Sequence, residues 1–411
     1  MIGFSCSGPA EIEYPEIGPG EERVLSRFME LYGSRGDMLE QLIATARRKF
    51  RFSEDSVRFW APRIVEGRLG PLDPLLSEDL EEVMVNGLGK RIFVYDRSKG
   101  MLETNLSITS KEYFLELANR MLSPLGRRIN SSNPREAGIL GNGDRITVVV
   151  PPYSREFVMD IRRYSAEPFT IPELVRKGML SFEAAAFLWM VMEVGNINLG
   201  VIGNTGSGKT TLLNALTRFI PRRSRIVLVE DIPEIKPLQE QSVSLLSNRN
   251  LGLSMRDAIL DSLRLRPDRV IIGEVRRDDE VEALRESCLA GHAMGTYFTY
   301  HAESAGWAYR RLVNQGFPEF DLPIIALFVV CRRFERGGKI MREVTEIGGR
   351  DPVFRLKGGS LRKVGKFGGY LKLAFDDPAR ELRRREAFLR NCTGLGDLEL
   401  FRAVQGWSVD I

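Results

Sequence analysis

The residues best suited to chemistry form a run of the pattern G-x-x-x-x-G-K-T between Gly203 and Thr210. Its glycines let the backbone turn N–H groups inward around a polyphosphate, at a helix N-terminus that already favours anions. In this pattern Lys209 reaches the β- and γ-phosphates, and Thr210 holds Mg²⁺. The residues expected to bind the nucleotide are Gly203, Asn204, Thr205, Gly206, Ser207, Gly208, Lys209, Thr210 and Thr211.

The alternative for this run is a glycine-rich turn that binds nothing. Residues 199–202 are an apolar run that predicts a strand before the loop, and residues 212–217 predict a helix after it. Strand, loop and helix in this order are the setting that the motif requires. We therefore expect the chain to bind a nucleoside triphosphate.

Acidic side chains follow the next predicted strand, residues 225–230. The strand ends in Glu230, and Asp231 and Glu234 extend the acidic patch. Carboxylates at the carboxyl end of a strand beside the loop are placed to hold hydrated Mg²⁺. Glu230, Asp231 and Glu234 are therefore candidate metal ligands, together with Thr210.

A further apolar strand, residues 270–274, ends in Glu274. Gly273 stands where many P-loop proteins have the metal-binding aspartate. Glu274 is therefore the candidate that polarises the attacking water. The alternative is an exposed carboxylate that merely ends a strand.

Both histidines of the chain lie in the run 291–301, and the predicted strand 296–300 delivers His301 to a sheet edge. His301 could sense the γ-phosphate by hydrogen bonding, although a lone histidine is usually an ordinary polar residue. The four cysteines are scattered and include no C-x-x-C pair, so we expect no stable zinc site and reduced thiols.

The whole chain must supply the elements that position these side chains. Its 411 residues predict two or three domains, and its apolar and charged fractions of 43% and 28% are those of a soluble globular protein. We assign a helical N-terminal extension, an α+β domain with short strands such as 91–95 and 145–150, a proline-containing linker and an α/β nucleotide-binding domain with a helical C-terminal region. The boundaries are 1–75, 76–165, 166–174 and 175–411.

Two further segments carry structural predictions. The apolar run 182–192 is too short to span a bilayer, so we expect a buried helix and membrane contact only through a partner. Asp377 and Pro378 predict the start of a helix that carries Arg383, Arg384 and Arg385. We expect these arginines on a surface face; contact with a partner subunit is the alternative.

Four sequence blocks occur together in a diagnostic order: the P-loop, the acidic patch 230–234, the strand 265–276, and the run from 291 to 302. They resemble the Walker A, Asp, Walker B and His boxes of the secretion ATPase superfamily, the hexameric motors of type II and type IV secretion, type IV pili and the archaellum. Residues 76–86, 143–146 and 161–163 are similar to that family's N-terminal domain. The compact Asp box and the lack of a tetracysteine insertion favour the archaeal pilus, archaellum and type II-like branch.

This resemblance implies a C-terminal RecA-like P-loop ATPase domain and a smaller α+β N-terminal domain. It implies ATP and Mg²⁺ between the two domains, and arginine fingers from Arg145 and Arg162, with Arg163 a further candidate. Arg276 and Arg311 are possible on the other side, and surface salt bridges are the alternative for each. It also implies a homo-hexamer in the cytoplasm that acts at the inner membrane face through a polytopic platform protein. Hydrolysis would then change the angle between domains at a hinge near 166–172.

Two other functions remain as alternatives. A helicase-like or translocating nucleic-acid motor would need a basic channel bearing aromatic side chains, and the net charge of +4 gives it little support. We therefore expect no nucleic-acid partner. A nucleotide-gated assembly scaffold with little hydrolysis is opposed by the presence of Lys209, Thr210 and Glu274 together.

Overall fold

The computed structural model describes residues 72, 75–76, 80–96, 99–163, 168–247, 252–291, 294–336, 339–358, 360–366 and 369–407. The contacts between residues divide the chain into two units, 1–165 and 166–411. The predicted helical extension over residues 1–75 lies outside the described residues except for Leu72 and Leu75, and so does His292.

The described part of the first unit is an antiparallel sheet with one α-helix packed on it. The six strands lie in the order β3-β2-β1-β6-β5-β4. Alternate residues of β5 are buried, as the period of two in a half-buried strand requires, and helix α1 supplies the apolar face that covers them. The elements are β1 (Leu80–Val85), β2 (Arg91–Asp96), β3 (Gly100–Ser107), α1 (Lys111–Leu122), β4 (Arg135–Ile139), β5 (Arg145–Val149) and β6 (Val158–Arg162).

The second unit is built on a nine-stranded sheet, ordered β15-β14-β13-β12-β7-β11-β10-β8-β9. The six strands from β12 to β9 in this order run parallel, and the remaining strands continue as an antiparallel meander. The strands are β7 (Asn198–Gly203), β8 (Ile226–Glu230), β9 (Ser242–Leu246), β10 (Arg269–Val275), β11 (Thr296–Tyr300), β12 (Ile325–Arg336), β13 (Lys339–Gly348), β14 (Pro352–Lys357) and β15 (Ser360–Lys363).

Helices cover both faces of this parallel sheet. Because both faces are covered, strands such as β8 and β11 are apolar or buried at every position. The apolar side chains form one core on each face. The helices are α2 (Ile171–Arg176), α3 (Phe182–Val194), α4 (Lys209–Leu216), α5 (Met255–Ser262), α6 (Asp278–Leu289), α7 (Ala305–Asn314), α8 (Gly369–Ala374), α9 (Pro378–Asn391) and α10 (Asp397–Trp407).

Helix α3 is buried on all sides, as its apolar sequence predicted. Every residue from Ala184 to Met192 is buried. Ser181 begins the helix by accepting a hydrogen bond from the N–H of Ala184 at 3.2 Å. No helix in the described part of the chain has both the length and the apolar character that crossing a membrane requires.

Helix α9 begins at the predicted cap, where Asp377 accepts hydrogen bonds from two backbone N–H groups. The prediction that its arginines form a surface face is wrong for Arg385, whose side chain is fully buried. Its guanidinium donates to Glu193 of α3 and to Glu381, each at 2.7 Å, and lies 4.6 Å from the ring centroid of Trp189. Burial is possible because these two carboxylates pair the charge.

The segment assigned to the linker differs from an extended chain. Thr170 accepts a hydrogen bond from the N–H of Glu173, whose carboxylate in turn accepts from the N–H of Thr170. This reciprocal cap starts α2, which buries Ile171 and Leu174. Residues 171–174 are therefore part of a packed helix.

Candidate active site

The glycine-rich loop connects β7 to α4 at the carboxyl edge of the parallel sheet, as predicted. A side chain at Gly203 would place its Cβ 2.1 Å from the carbonyl oxygen of Cys331 on β12. Gly206 and Gly208 have φ values of 70° and 89°, in the left-handed region that glycine enters without cost. The loop can therefore approach β12 and turn into α4 only with glycines at these positions.

Two polar groups of the loop are buried in a way that suits an anionic ligand. The Ser207 hydroxyl has no hydrogen-bond partner among the described residues. Lys209 is buried, and its Nζ donates to the carbonyl of Asn204 at 3.1 Å. Burial lowers the pKa of Lys209, although the negative charges of Glu274 and Glu234 oppose this shift. A polyphosphate in the loop would compensate a buried ammonium group and an unpaired hydroxyl together.

Glu274 lies at the end of β10, where the register with β11 shifts between Ile272 and Val275. Its carboxylate accepts hydrogen bonds from His301 at the end of β11 and from Arg276, whose Nε is 2.8 Å away. Burial alone would raise the pKa of Glu274, but these two partners and their charges hold it at about 2. The structure therefore brings together two of the predicted site residues, Glu274 and His301, and favours the ionised form of the carboxylate.

Glu230, at the end of β8, lies in an environment that favours its protonated form, in contrast to Glu274. Among the described residues, its Oε1 accepts hydrogen bonds only from backbone N–H groups, those of Glu234 and Ile235, both at 3.0 Å. Burial raises the pKa of Glu230 to about 7 despite these hydrogen bonds. A side chain at Gly273 would place its Cβ 3.0 Å from Cγ of Glu230. Glycine at 273 thus makes room for the Glu230 carboxyl group.

The other two acidic candidates for binding Mg²⁺, Asp231 and Glu234, differ from Glu230 in their surroundings. Asp231 accepts a hydrogen bond from Ser247 and forms an ion pair with Arg276, with 3.3 Å between NH1 and Oδ2. Arg276 therefore links Asp231 to Glu274. Glu234 is exposed. The roles of Thr210, Glu230, Asp231 and Glu234 toward Mg²⁺ remain predictions.

Three polar residues hold the Glu274–His301 pair in place. Arg311 of α7 donates to the carbonyl of His301 at 2.7 Å. Gln315 accepts a hydrogen bond from the Tyr300 hydroxyl and donates to the carbonyl of Arg276 at 3.1 Å. Gln315 was not identified from the sequence, since nothing local marks a glutamine after a helix as a link between two strand ends.

Arg342 is a further residue that the sequence did not indicate. It belongs to β13, and its Nε donates to the carbonyl of Gly206 in the loop at 2.9 Å. Arg333 of β12 is paired with Arg342 in the sheet, and a Cβ at Gly206 would lie 3.2 Å from its NH1. The β12–β13 hairpin therefore places two guanidinium groups beside the loop.

The predicted arginine fingers lie in the first unit. Arg145 and Arg162 are exposed and face each other as cross-strand neighbours of β5 and β6. Arg163 forms an ion pair with the buried Asp144 at 3.2 Å. The structure thus brings Arg145 and Arg162 together and ties Arg163 to the sheet. Their role toward a nucleotide remains a prediction.

Comparison with known sequences gives a family match over most of the chain. The model of a family described as type II/IV secretion system protein matches residues 66–344. The chain is 34% identical over 241 residues to an uncharacterised protein of Methanocaldococcus jannaschii, covering 56% of this chain and 33% of that protein. It is 32% identical over 296 residues to a second uncharacterised protein of that organism, 51% of whose length is covered. The chain thus spans about a third of the length of the first relative and about half of the length of the second.

Another relative is named as a secretion system protein. The type IV secretion system protein PtlH of Bordetella pertussis is 30% identical over 277 residues, covering 60% of this chain and 80% of PtlH. The X-ray structure of the Legionella pneumophila ATPase DotB aligns with a TM-score of 0.52 at 18% identity, covering 81% of this chain and 89% of that one. This likeness shows the fold, and it confirms the predicted α/β class with a RecA-like P-loop domain.

Proposed function

We propose that the chain, which belongs to the type II/IV secretion system protein family, functions as a motor. In this proposal it hydrolyses ATP to power assembly of a pilus- or archaellum-like filament or secretion of protein across the membrane. The observation that carries the proposal is the ionised Glu274, held by His301 and Arg276 on the strand edge that also carries the glycine-rich loop.

The loop and its lysine would bind the phosphates of ATP. Backbone N–H groups of residues 203–211 and the Lys209 ammonium would contact them, and Ser207 would gain the partner that it lacks. Thr210 and Glu230 would hold Mg²⁺, with Asp231 and Glu234 close by. The ion would neutralise charge on the phosphates.

Glu274 would orient the attacking water. Each oxygen of an ionised carboxylate has two acceptor sites. Arg276 donates to Oε2 from both Nε and a terminal nitrogen, whereas His301 alone donates to Oε1, so Oε1 has room for a water that donates to it. With a pKa of about 2, the carboxylate is a weak base and acts mainly by positioning water in line with the γ-phosphorus. The bond from water to phosphorus forms as the bond to the bridging oxygen breaks, and a proton of the water passes to an oxygen of the released phosphate. ADP and phosphate are the products.

The remaining parts of the proposal concern the arginines of the first unit and the assembly of several copies. Arg145 and Arg162 would neutralise charge on the transferring phosphoryl group, as arginine fingers do in related reactions. We propose a homo-hexamer that binds a polytopic membrane protein at the inner face of the membrane. The match to secretion system relatives supports this placement.

The direct test is phosphate release from ATP and Mg²⁺ by the full chain and by Lys209→Ala. Loss of the buried ammonium group removes the charge that holds the phosphates, so we expect hydrolysis to fall to background. Lys177→Ala is a matched control, because it removes an exposed lysine outside the loop. Equal hydrolysis by Lys209→Ala and the wild type would contradict an ATPase site at this loop. Stimulation by DNA would instead favour a nucleic-acid motor.

A further inference from the structure

A second charged site lies at the amino-terminal ends of the parallel strands, opposite to the ends that carry the glycine-rich loop. It is a solvent-open cavity of about 560 Å³. Three of its lining residues, Arg225, Gln241 and Asp268, immediately precede the adjacent parallel strands β8, β9 and β10. Because β8 is five residues long, roughly 16 Å of strand separates this cavity from Glu230 at the nucleotide edge.

The lining of the cavity is dominated by arginine. Arg223, Arg225, Arg264 and Arg266 face a single carboxylate, Asp268. That carboxylate already accepts the backbone N–H of Arg225 at 2.6 Å. Leu265 is the one apolar residue among the lining residues. The cavity therefore carries an excess of positive charge in a polar setting.

These guanidinium groups form few hydrogen bonds and ion pairs within the described part of the chain. The Nε of Arg225 is buried there without a hydrogen-bond partner. Arg223 and Arg266 are exposed, and neither has a salt bridge to another described residue. Arg264 pairs with Asp261 at 2.7 Å, but both side chains are more than half exposed, so this pair can exchange for a ligand.

The backbone holds the cluster in a fixed arrangement. The N–H groups of Asp268 and Arg269 both donate to the carbonyl of Arg225, at 2.9 and 3.0 Å, and the N–H of Ile226 donates to Gln241 at 2.9 Å. Arg266 has φ and ψ of 51° and 57°, a left-handed conformation that is uncommon for a residue with a side chain. The backbone therefore holds the arginines close together although their positive charges repel one another.

We propose that this cavity binds a small soluble polyphosphate, a ligand with two or more adjacent phosphoryl groups. Guanidinium groups recognise phosphate oxygens by paired hydrogen bonds, and several of them match more than one phosphoryl group. The volume lies within the range of small-molecule sites. The ligand would neutralise the charge of the arginines without taking part in ATP hydrolysis. The proposal therefore does not depend on the proposed ATPase function.

The experiment uses pyrophosphate as the probe and isothermal titration calorimetry as the measurement. Because pyrophosphate also suits the glycine-rich loop, the titration is done with full-length Lys209→Ala. We expect this protein to bind pyrophosphate, and the further pair Arg223→Ser and Arg266→Asn to weaken the affinity about tenfold or more. Asparagine is chosen because it tolerates the left-handed backbone. Arg264→Ser is a separate variant that should weaken binding in the same direction.

The matched control pair is Arg310→Ser and Arg383→Ser, which removes two exposed arginines on α7 and α9, outside the cavity lining. It should leave the affinity unchanged. The proposal is overturned if Lys209→Ala does not bind pyrophosphate, or if the control pair weakens binding as much as the cavity pair. Binding only to phosphatidylglycerol vesicles, with none to pyrophosphate, would also overturn it, since the site would then serve a membrane surface.

Discussion

At the residue scale, Glu274 and Glu230 lie at the ends of neighbouring strands but hold protons with very different affinity. Glu274 has a pKa of about 2, because its hydrogen bonds to His301 and Arg276 outweigh the effect of burial. Glu230 has a pKa of about 7, because burial outweighs two backbone N–H donors. Two carboxyl groups whose pKa values are driven apart can take different roles in one site. Glu274 stays charged throughout the physiological range, whereas Glu230 titrates within it.

The raised pKa of Glu230 predicts a pH-dependent cost to folding. In the unfolded chain this group titrates near 4.5, so folding favours its protonated form. The cost is absent below that pH, grows as the pH rises and is complete above about 7, where it reaches about 3 kcal/mol. Glu230→Gln should therefore raise the melting temperature of the nucleotide-free protein at pH 8.5 by several degrees relative to the wild type.

At pH 4.5 the same substitution should change the melting temperature little. Glu303→Gln, at an exposed glutamate, should show no such trend and serves as the control. A gain for Glu230→Gln that is equal at both pH values would contradict a buried, titrating carboxyl group.

At the element scale, the β12–β13 hairpin acts on the loop from a distant part of the chain. Arg342 donates to the carbonyl of Gly206, which fixes one turn of the loop and brings a positive charge to it. We predict that Arg342→Gln raises the KM for ATP about five- to tenfold, the loss expected for one charge-assisted hydrogen bond, with a smaller effect on kcat. Steady-state phosphate release measures both constants.

The control for this variant is Arg355→Gln on β14, which removes an exposed arginine with a weak ion pair to Glu346. It should leave KM unchanged. An Arg342→Gln enzyme with a wild-type KM would show that the hairpin does not influence nucleotide binding.

The strands and the loop were predictable because their signals are local. The apolar runs ending in Glu230 and Glu274 and the glycine pattern from 203 to 208 each lie within a few residues. Helix α2 also had a local signal, the capping pair of Thr170 and Glu173, which the two prolines of the segment concealed.

Other features depend on contacts that no local pattern contains. The Arg342 contact with Gly206 spans 136 residues, and the burial of Arg385 depends on Glu193, 192 residues away. Their side chains are charged, and a charged residue predicts an exposed position unless its distant partner is known. The pKa difference between Glu230 and Glu274 likewise follows from tertiary hydrogen bonds.

At the scale of the whole molecule, the proposed motor requires several copies of the chain. Six copies of a 46.5 kDa chain have a mass of about 280 kDa. We predict that light scattering coupled to size-exclusion chromatography finds this species when a non-hydrolysable ATP analogue and Mg²⁺ are present. Arg145→Ala with Arg162→Ala should keep the assembly and lose most hydrolysis, if these arginines contact the phosphoryl group. A monomer with full ATPase activity in every nucleotide state would contradict the hexamer.

The central claim is that Glu274 positions water beside a nucleotide held by the glycine-rich loop. Its most direct test measures ATP binding and single-turnover hydrolysis in Glu274→Gln, with Glu303→Gln as control. The substitution keeps the shape of the side chain and removes its charge. We predict ATP affinity within about threefold of the wild type and hydrolysis slower by about 10²-fold or more. Hydrolysis at the wild-type rate in Glu274→Gln would contradict the account.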